Sequence, residues 1–353
     1  MDHVEWLTDP ARLAAIAPEW DAMAALDDMP FALSAWLVPW LEAFAPREGA
    51  RVALLRRGAA VAAGAALWDS SGVRRGAVMH GLPPYFRIAA RDEAARARLA
   101  AAVVAASPGV LEGRSLVPGE ATFASLLEAA RLAGRWTLLD EQPAALVTET
   151  SGSWEDFLAS LSSKTRSELG RLRRKAAREH ELAIDALGVP EDVDAAMERF
   201  LALEASGWKG SSGGAILCDP QKERFFRGAA RALHAAGLLR LSELRLDGEL
   251  AAGAFTILHR RRAFTLRVAF DERHRTLGPG FVLLAAMLER CFGLELEAYE
   301  FCGAAEDYER RFGAIERPRA RIRIYRRRLA PASRYLVHRR VRPLWRSLRR
   351  RSA

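Results

Sequence analysis

The 353-residue sequence predicts a mixed α/β (α+β) protein of two similarly built domains, each a mostly antiparallel sheet flanked by helices. Three observations predict it. The length exceeds one ordinary domain and suffices for two cores. Strand-like and helix-like runs alternate throughout. The clearest local signal is LLRLSELRL, Asp247-Gly248, ELAAGAFTIL: two strand runs joined by a type I′ hairpin dipeptide. Finally, Val52–Trp68 laid on Leu241–Ile257 without gaps gives six identities in seventeen positions, with Ala62-Ala-Gly-Ala65 falling on Ala251-Ala-Gly-Ala254. The 189-residue offset reads as one α/β domain duplicated, since solenoid periods are far shorter.

Along the chain, apolar positions at helical spacing run to about Pro46, through Trp6, Leu13, Trp20, Phe31, Trp36, Leu37, Trp40, Leu41 and Phe44. Residues 51–68 read as two short strands and His80-Gly-Leu-Pro-Pro-Tyr85 as a turn-rich loop. Residues 91–106 and 120–133 are helical by period and alanine content, and Arg135–Val147 holds a strand. Ser153 and Asp156 are helix-cap residues opening the second half. Residues 191–207 and Phe225–Ala236 are helices, with Gly207 expected as a left-handed stop and Gly237 ending the second. Ala263–Phe270 is a strand, Phe281–Cys291 a helix and Leu296–Phe301 a strand. Ala320–Tyr325 alternates Arg with Ile or Tyr, a half-buried strand by its period of two. The expected division is 1–150, 151–330 and a basic tail, 331–353.

Composition excludes several classes. Half the chain is apolar and 27% is charged, which is globular. The longest uncharged apolar runs, Phe31–Leu41 and Phe281–Leu288, fall short of the roughly 18 residues of a spanning helix. No basic-then-apolar leader opens the chain, so the expected location is cytoplasmic. Cys218, Cys291 and Cys302 lie far apart with no C-x-x-C pair, which argues against a disulfide scaffold and against any metal site. The net charge of +9 is uneven. Arg317–Ala353 contains fifteen arginines and no acid, so the other 316 residues carry −6. Within that acidic body Lys164–Arg178 is a basic island, seven cations against Glu168. It reads as a solvated helix face, a clamp for a phosphate-bearing acceptor, or a contact for lipid headgroups. In the tail, 334–351 mixes Tyr335, Leu336, Leu344, Trp345 and Leu348 with arginines, the composition of an interfacial helix on anionic lipid. Nucleic acid is the weaker competitor, because no aromatic-stacking motif or zinc module accompanies the charge.

The central motif is Arg275-Thr-Leu-Gly278-Pro-Gly280, set between a strand and a helix. Glycines let a backbone approach an anion, and a helix start offers N–H donors and the positive dipole end, so a pyrophosphate is the natural guest. A plain tight turn is the alternative.

Hairpin, third strand, R-x-x-G-x-G loop, helix, strand and a tyrosine-bearing helix come in the order that resembles the GNAT acyl-CoA N-acyltransferases. More narrowly, Trp154–Tyr325 resembles the CelD-like and FemAB-like branch, which places two GNAT-like domains in one chain. That likeness rests on Lys164-Thr-Arg166 through Arg173-Arg-Lys175, Glu204-Ala-Ser-Gly-Trp208-Lys209-Gly210, Gly278-Pro-Gly280, and Glu306 with Tyr308. It implies that Arg275, Leu277, Gly278, Gly280 and Phe281 hold the pyrophosphate of acyl-CoA, and that the next strand splays to admit the pantetheine. Tyr308 would protonate the departing thiolate, although Phe312-Gly313 reverses the family's usual glycine–aromatic order. The first half lacks the glycine loop, so the resemblance makes it a degenerate partner that shapes the acceptor site.

An amine must be neutral to attack a thioester, which calls for a carboxylate or water chain as base. Glu306 ranks first, Glu204 second and Glu243 third. The oxyanion needs a donor, which in this family is a backbone N–H of the strand matching Ala263–Phe270. Trp208 and Lys209 either hold the acceptor by stacking and charge or sit at a glycine-capped helix end. Arg173 and His80 are further acceptor-site candidates. The expected activity is acyl transfer from acyl-CoA to an amine of an envelope-associated acceptor, a lipid amine such as a sphingoid base or an amino sugar, at the inner face of the cytoplasmic membrane. The alternatives are FemAB-like aminoacyl-tRNA-dependent transfer to a peptidoglycan precursor, and a non-catalytic GNAT-like scaffold at the membrane.

Overall fold

The computed structural model describes residues 2–70, 74–77, 86–107, 109–207, 214–303 and 307–327. Those up to Gln142, together with those from Pro318, form one compact unit, and Pro143–Arg317 form the other. No helix among the described residues is long and apolar enough to cross a membrane.

The first half of the chain runs β1 (Asp2–Leu7), α1 (Pro10–Ala15), α2 (Ala17–Ala24), α3 (Ser34–Glu48), β2 (Arg51–Arg57), β3 (Ala60–Ser70) and β4 (Arg74–Ala77). It continues through β5 (Ala89–Ala90), α4 (Glu93–Ala106), β6 (Val110–Leu116), α5 (Ala121–Leu132) and β7 (Trp136–Glu149). The second half begins with α6 (Trp154–Ser160), α7 (Ser163–Glu179), β8 (Leu182–Gly188), α8 (Val193–Ser206) and α9 (Pro220–Ala235). The meander β9 (Leu239–Leu246), β10 (Glu249–His259) and β11 (Arg262–Phe270) follows, then α10 (Pro279–Gly293), β12 (Ala298–Phe301), α11 (Asp307–Arg310) and β13 (Ile315–Tyr325).

The strand orders of the two units match strand for strand. In the first unit the order is β1-β2-β3-β4-β6-β13, antiparallel except for the parallel pair β4–β6. In the second it is β8-β9-β10-β11-β12-β7, antiparallel except for β11–β12. The sequence repeat is a repeat of register. Leu55 pairs with Ala63 and Leu54 with Gly64 in one hairpin; Leu244 pairs with Ala252 and Glu243 with Gly253 in the other. A reason for the repeated glycine is steric. A Cβ on Gly64 would lie 2.1 Å from Trp20 Cη2, and one on Gly253 would lie 3.1 Å from Phe200 Cδ2. Each glycine admits an aromatic ring from the helix layer.

The cap and turn chemistry is as the sequence predicts. Ser153 Oγ accepts from Asp156 N at 3.0 Å and donates to Asp156 Oδ2 at 2.7 Å, opening α6. Asp247 (φ +51°) and Gly248 (φ +82°) form the I′ turn, and Gly237 (φ +71°) ends α9.

Four expectations need correction. Asp2–Leu7 is a strand, not helix, paired with β2 from Asp2–Arg57 to Leu7–Val52; six residues are too few for a 3.6-residue period to declare itself. Gly207 caps α8 with φ −85°, so no left-handed stop occurs there. Strands β4, β6 and β8 were not anticipated. β6 carries a buried Glu112, and β8 follows α7 after only two residues. The arginine face of β13 is covered as well. Arg323, only 2% exposed, donates through Nε to Glu112 Oε2 at 2.9 Å and also pairs with Asp140, which Arg321 meets at 3.3 Å. These arginines, counted with the tail by sequence, neutralise acids of the first unit.

Gly64→Ala is expected to cost about 1–3 kcal/mol by overpacking against Trp20, and Gly253→Ala distinctly less, in chemical denaturation of the two variants.

Candidate functional site

The site in the second unit is built around a helix whose N-terminus is left open. Asp271 caps the short 3₁₀ turn Glu272–Leu277 by accepting from Arg273 N at 2.9 Å, and the His274 and His180 rings meet edge to face at 5.4 Å. Gly278 then takes φ +57°, ψ +47°, and Pro279 starts α10. No side chain caps α10. Pro279 has no N–H, and Phe281 and Val282 both donate back to Gly278 O at 3.0 Å, which leaves the Gly280 N–H as the donor at this helix start.

The two glycines are required for different reasons. At Gly278 a Cβ would meet Leu172 Cδ1 of α7 at 2.9 Å in a left-handed conformation, so the chain itself demands glycine. At Gly280 the φ is not positive and a Cβ would find Phe270 at an ordinary 3.5 Å. Packing within the chain does not require that glycine, whereas a close ligand would.

The equivalent helix of the first unit is closed. Asp92 caps α4, its Oδ1 accepting from Ala95 N at 2.7 Å, and the Arg57 guanidinium holds the Asp92 carboxyl below its usual range. A resident carboxylate at a helix start excludes a second anion. The absence of a glycine loop from the first half thus has a structural counterpart.

Beside the open helix, β11 parts from β12. Their pairing runs only from Arg262–Ala298 to Thr265–Phe301, closed by Cys302 N donating to Thr265 O at 3.1 Å. β11 continues to Phe270 with β10 alone. Its register with β10 slips by one residue, Thr256 pairing with Thr265 but Phe255 with Arg267, so Leu266 is a bulge. The edge of β11 from Leu266 onward therefore carries backbone groups that β12 does not pair. After the bulge Val268 and Phe270 pack with the α10 core, while Arg267 points to the α8–α9 face, its guanidinium 5.6 Å from the Phe226 ring centroid.

Glu204 meets Arg267 on that face. It is 1% exposed, accepts from Ile216 N at 2.7 Å and has its other oxygen 3.8 Å from Arg267 Nη1. Burial lowers Arg267 from the usual guanidinium range and Glu204 works against this. Glu243 is held by Arg199 at 3.0 Å and by Arg245 at 2.5 Å. Glu243 is thus engaged by two arginines, whereas the buried Glu204 Oε1 has no hydrogen-bond partner among the described residues.

Tyr308 lies on α11 and is 38% exposed. Its segment docks onto the start of α10. Phe312 is buried with its ring centroid 4.8 Å from that of Phe281, and Arg311 lies over the other aromatic contact, 4.6 Å from the Phe281 centroid, while pairing with Glu168 of α7 at 2.7 Å. Thr148 Oγ1 donates to Phe312 O at 3.0 Å. The reversed Phe312-Gly313 order thus places an aromatic in the core and leaves Gly313 (φ +67°) to turn the chain.

Of the residues singled out from sequence, Leu277, Gly278, Gly280, Phe281 and Tyr308 belong to one neighbourhood, with Leu277 buried beneath it. Arg275 is exposed at its rim, accepting from Gly278 N at 3.1 Å through its backbone oxygen. Arg173 does not join them; it is 60% exposed and faces Glu289 at 3.9 Å along α10. Glu306, His80, Trp208 and Lys209 lie outside the described residues, as does 334–351. Sequence reasoning missed Leu172, Thr265, Arg267, Tyr299 and Arg311. Arg267 and Tyr299 sit on strands it did identify, so strand alternation beside the splayed pair was the available signal.

Residues 163–310 match the family model of the acetyltransferase (GNAT) domain. Among solved structures, FemX is similar with a TM-score of 0.58 at 13% identity, covering 86% of this chain and 95% of that one. The C-terminal domain (DUF2156) of a lysylphosphatidylglycerol synthetase from Agrobacterium fabrum gives 0.59 at 12%, covering 92% and 96%. L-PGS from Bacillus licheniformis gives 0.55 at 11%, covering 94% and 96%. No curated protein matches in sequence. The mixed α/β architecture and its GNAT assignment thus agree with the sequence reading.

Gly278→Ala should destabilise the protein by about 1–3 kcal/mol through the left-handed φ and the Leu172 clash. Gly280→Ala should stay within about 0.5 kcal/mol of the parent in the same melts. Burial pushes the Cys291 thiol up to about 12, and Cys302 is buried while Cys218 is exposed. A disulfide reagent should therefore titrate Cys218 alone in the native protein and all three thiols after denaturation.

Proposed function

Its second unit being a GNAT-superfamily transferase domain, we propose that the protein moves an acyl group from acyl-CoA to the amine of an envelope-associated acceptor, a lipid amine or amino sugar. The observation that carries this reading is the contrast between the two helix starts: α10 is uncapped, with Gly280 open to a close guest, while α4 is already capped by Asp92. A diphosphate suits the first and is repelled by the second.

In this reading the pantetheine enters where β11 leaves β12, and an N–H on the open edge of β11 donates to the thioester carbonyl oxygen. The neutral amine attacks that carbonyl. A C–N bond forms, the C–S bond breaks and its electron pair leaves on sulfur. Tyr308 delivers the proton that sulfur takes up and, being 38% exposed, recovers one from solvent. The attacking amine loses its proton to Glu306 or to water. Glu306 keeps its first rank and Glu204, whose buried Oε1 has no hydrogen-bond partner among the described residues, its second. Glu204 and Arg267 lie together on the α8–α9 side of β11. Trp208 and Lys209 are the proposed contacts of the acceptor.

A lipid-associated acceptor gains support from the basic face of α7. Lys164, Arg171 and Arg174 are exposed, with no ion-pair partner among the described residues, opposite the buried Thr165, Leu169, Leu172 and Ala176. Lys164 and Arg178 bracket a stripe about 21 Å long at helical rise. Such a face, with 334–351, fits the anionic inner surface of the cytoplasmic membrane. One similar fold bears the name of a lysylphosphatidylglycerol synthetase, and aminoacyl-tRNA stays open as the alternative donor.

Calorimetry and thermal melts with acetyl-CoA, palmitoyl-CoA and tRNA distinguish the donors. Micromolar or tighter acyl-CoA binding that raises Tm by several degrees, weakened at least tenfold in Gly280→Val, is expected. Tyr308→Phe should bind equally well but release CoA 10–100-fold more slowly. No response to acyl-CoA alongside clear tRNA binding would instead favour aminoacyl transfer. Tyr308→Phe that leaves turnover unchanged would remove the tyrosine from the chemistry.

A further inference from the structure

Tyr308 stands on a helix of a single turn. α11 spans Asp307–Arg310, and one turn makes too few hydrogen bonds to hold its own place. Where the tyrosine sits is therefore set by what the residues after it grip. Phe312 is buried against Phe281 at 4.8 Å between centroids, and Thr148 Oγ1 donates to its carbonyl oxygen at 3.0 Å. These core contacts anchor the segment at its far end. Arg311, nearer the helix, reaches across to α7, its Nη2 donating to Glu168 Oε2 at 2.7 Å.

This last contact gives the fold little. Arg311 and Glu168 are 32% and 33% exposed, and an ion pair so placed contributes only slightly to global stability. Its position is more telling. The guanidinium also lies 4.6 Å from the Phe281 centroid, beside Gly280 at the start of α10. Glu168 precedes Leu172 by four residues, one turn along the same flank of α7. Leu172 is the side chain that a Cβ on Gly278 would meet at 2.9 Å. One arginine thus links the tyrosine segment to both elements that define the glycine bend.

We propose that Arg311 is a positioning residue of the donor site: by holding Glu168 and covering Phe281 it sets where Tyr308 stands relative to the Gly278–Gly280 bend. This role rests on the acyl-CoA reading above and on the place of Tyr308 in it. Arg311 meets neither the acyl group nor the diphosphate, because its guanidinium already has Glu168 as its anion and Phe281 as its ring. A misplacement of about 1 Å at a reacting group can cost roughly a hundredfold in rate. A contact of small value to the fold can therefore have a large value to the geometry.

The test labels the full chain with 3-fluorotyrosine and reads its five tyrosines by fluorine NMR, the Tyr308 resonance being assigned by its loss in Tyr308→Phe. CoA is the probe. In the parent, CoA should bind and shift the Tyr308 resonance. Arg311→Gln should keep CoA affinity within about twofold and Tm within about 2 degrees, yet lose at least about half of that shift. Glu168→Ala, which removes the other half of the pair, should reproduce the loss. A Tyr308 response unchanged in either variant overturns the proposal and leaves the acyl-CoA reading standing. CoA affinity weakened about tenfold in Arg311→Gln also overturns it, since Arg311 is then a ligand of the donor. A Tm lowered by several degrees does the same, because the contact then serves the fold. A parent that binds CoA without moving the Tyr308 resonance removes the tyrosine from the donor site, and this proposal with it. A parent that does not bind CoA overturns the acyl-CoA reading itself.

Discussion

A parallel pair only four residues long sits inside an otherwise antiparallel sheet, and the second unit is organised around its end. From Arg262–Ala298 to Thr265–Phe301 the strands satisfy each other. Beyond that point β11 keeps β10 and loses β12, and the Leu266 bulge turns its side chains over. Backbone donors and acceptors exposed in this way cost free energy unless water or a ligand meets them. The bulge puts Val268 and Phe270 with α10 and sends Arg267 toward Glu204, so the two faces of β11 beyond it are apolar on one side and charged on the other.

Duplication lets the two halves differ at one equivalent place in the fold. Both units carry the same hairpin register and the same parallel pair at the same place in the sheet order. They diverge at one helix start. Asp92 supplies the first unit with a cap that completes its own hydrogen bonding, stabilising the helix by roughly 1 kcal/mol and occupying the anion position. Gly278 supplies no such cap and leaves α10 in deficit. A fold copied twice can thus differ between its copies through a few residues at a single turn.

The sequence made legible those features whose signal is local. The I′ turn at Asp247-Gly248, the Ser153–Asp156 cap and the glycine bend each depend on residues within a few positions of one another. The 189-residue repeat was legible too, because Gly64 and Gly253 answer the same steric demand from Trp20 and Phe200. Features set by distant partners were not. The arginines of β13 looked solvent-facing because Glu112 and Asp140, some two hundred residues earlier, cannot be paired with them by pattern. The contacts of Glu204 with Ile216 and Arg267 were likewise beyond any local pattern.

Helix α7 illustrates how charge and packing divide on one element. Its basic face dominates the sequence, yet the residues that reach the site belong to its other flank. Leu172 lies under Gly278 and fixes the bend, while Glu168 holds Arg311, which in turn covers Phe281 at the start of α10. The glycine bend and the Tyr308 segment are therefore positioned by neighbouring turns of one helix, so a shift of α7 would move both together. The cations on the opposite face are free of that duty, since none of Lys164, Arg171 and Arg174 pairs with a described residue. Charge and packing thus divide on this helix, its cations facing outward and its other flank holding the glycine bend and the Arg311 segment.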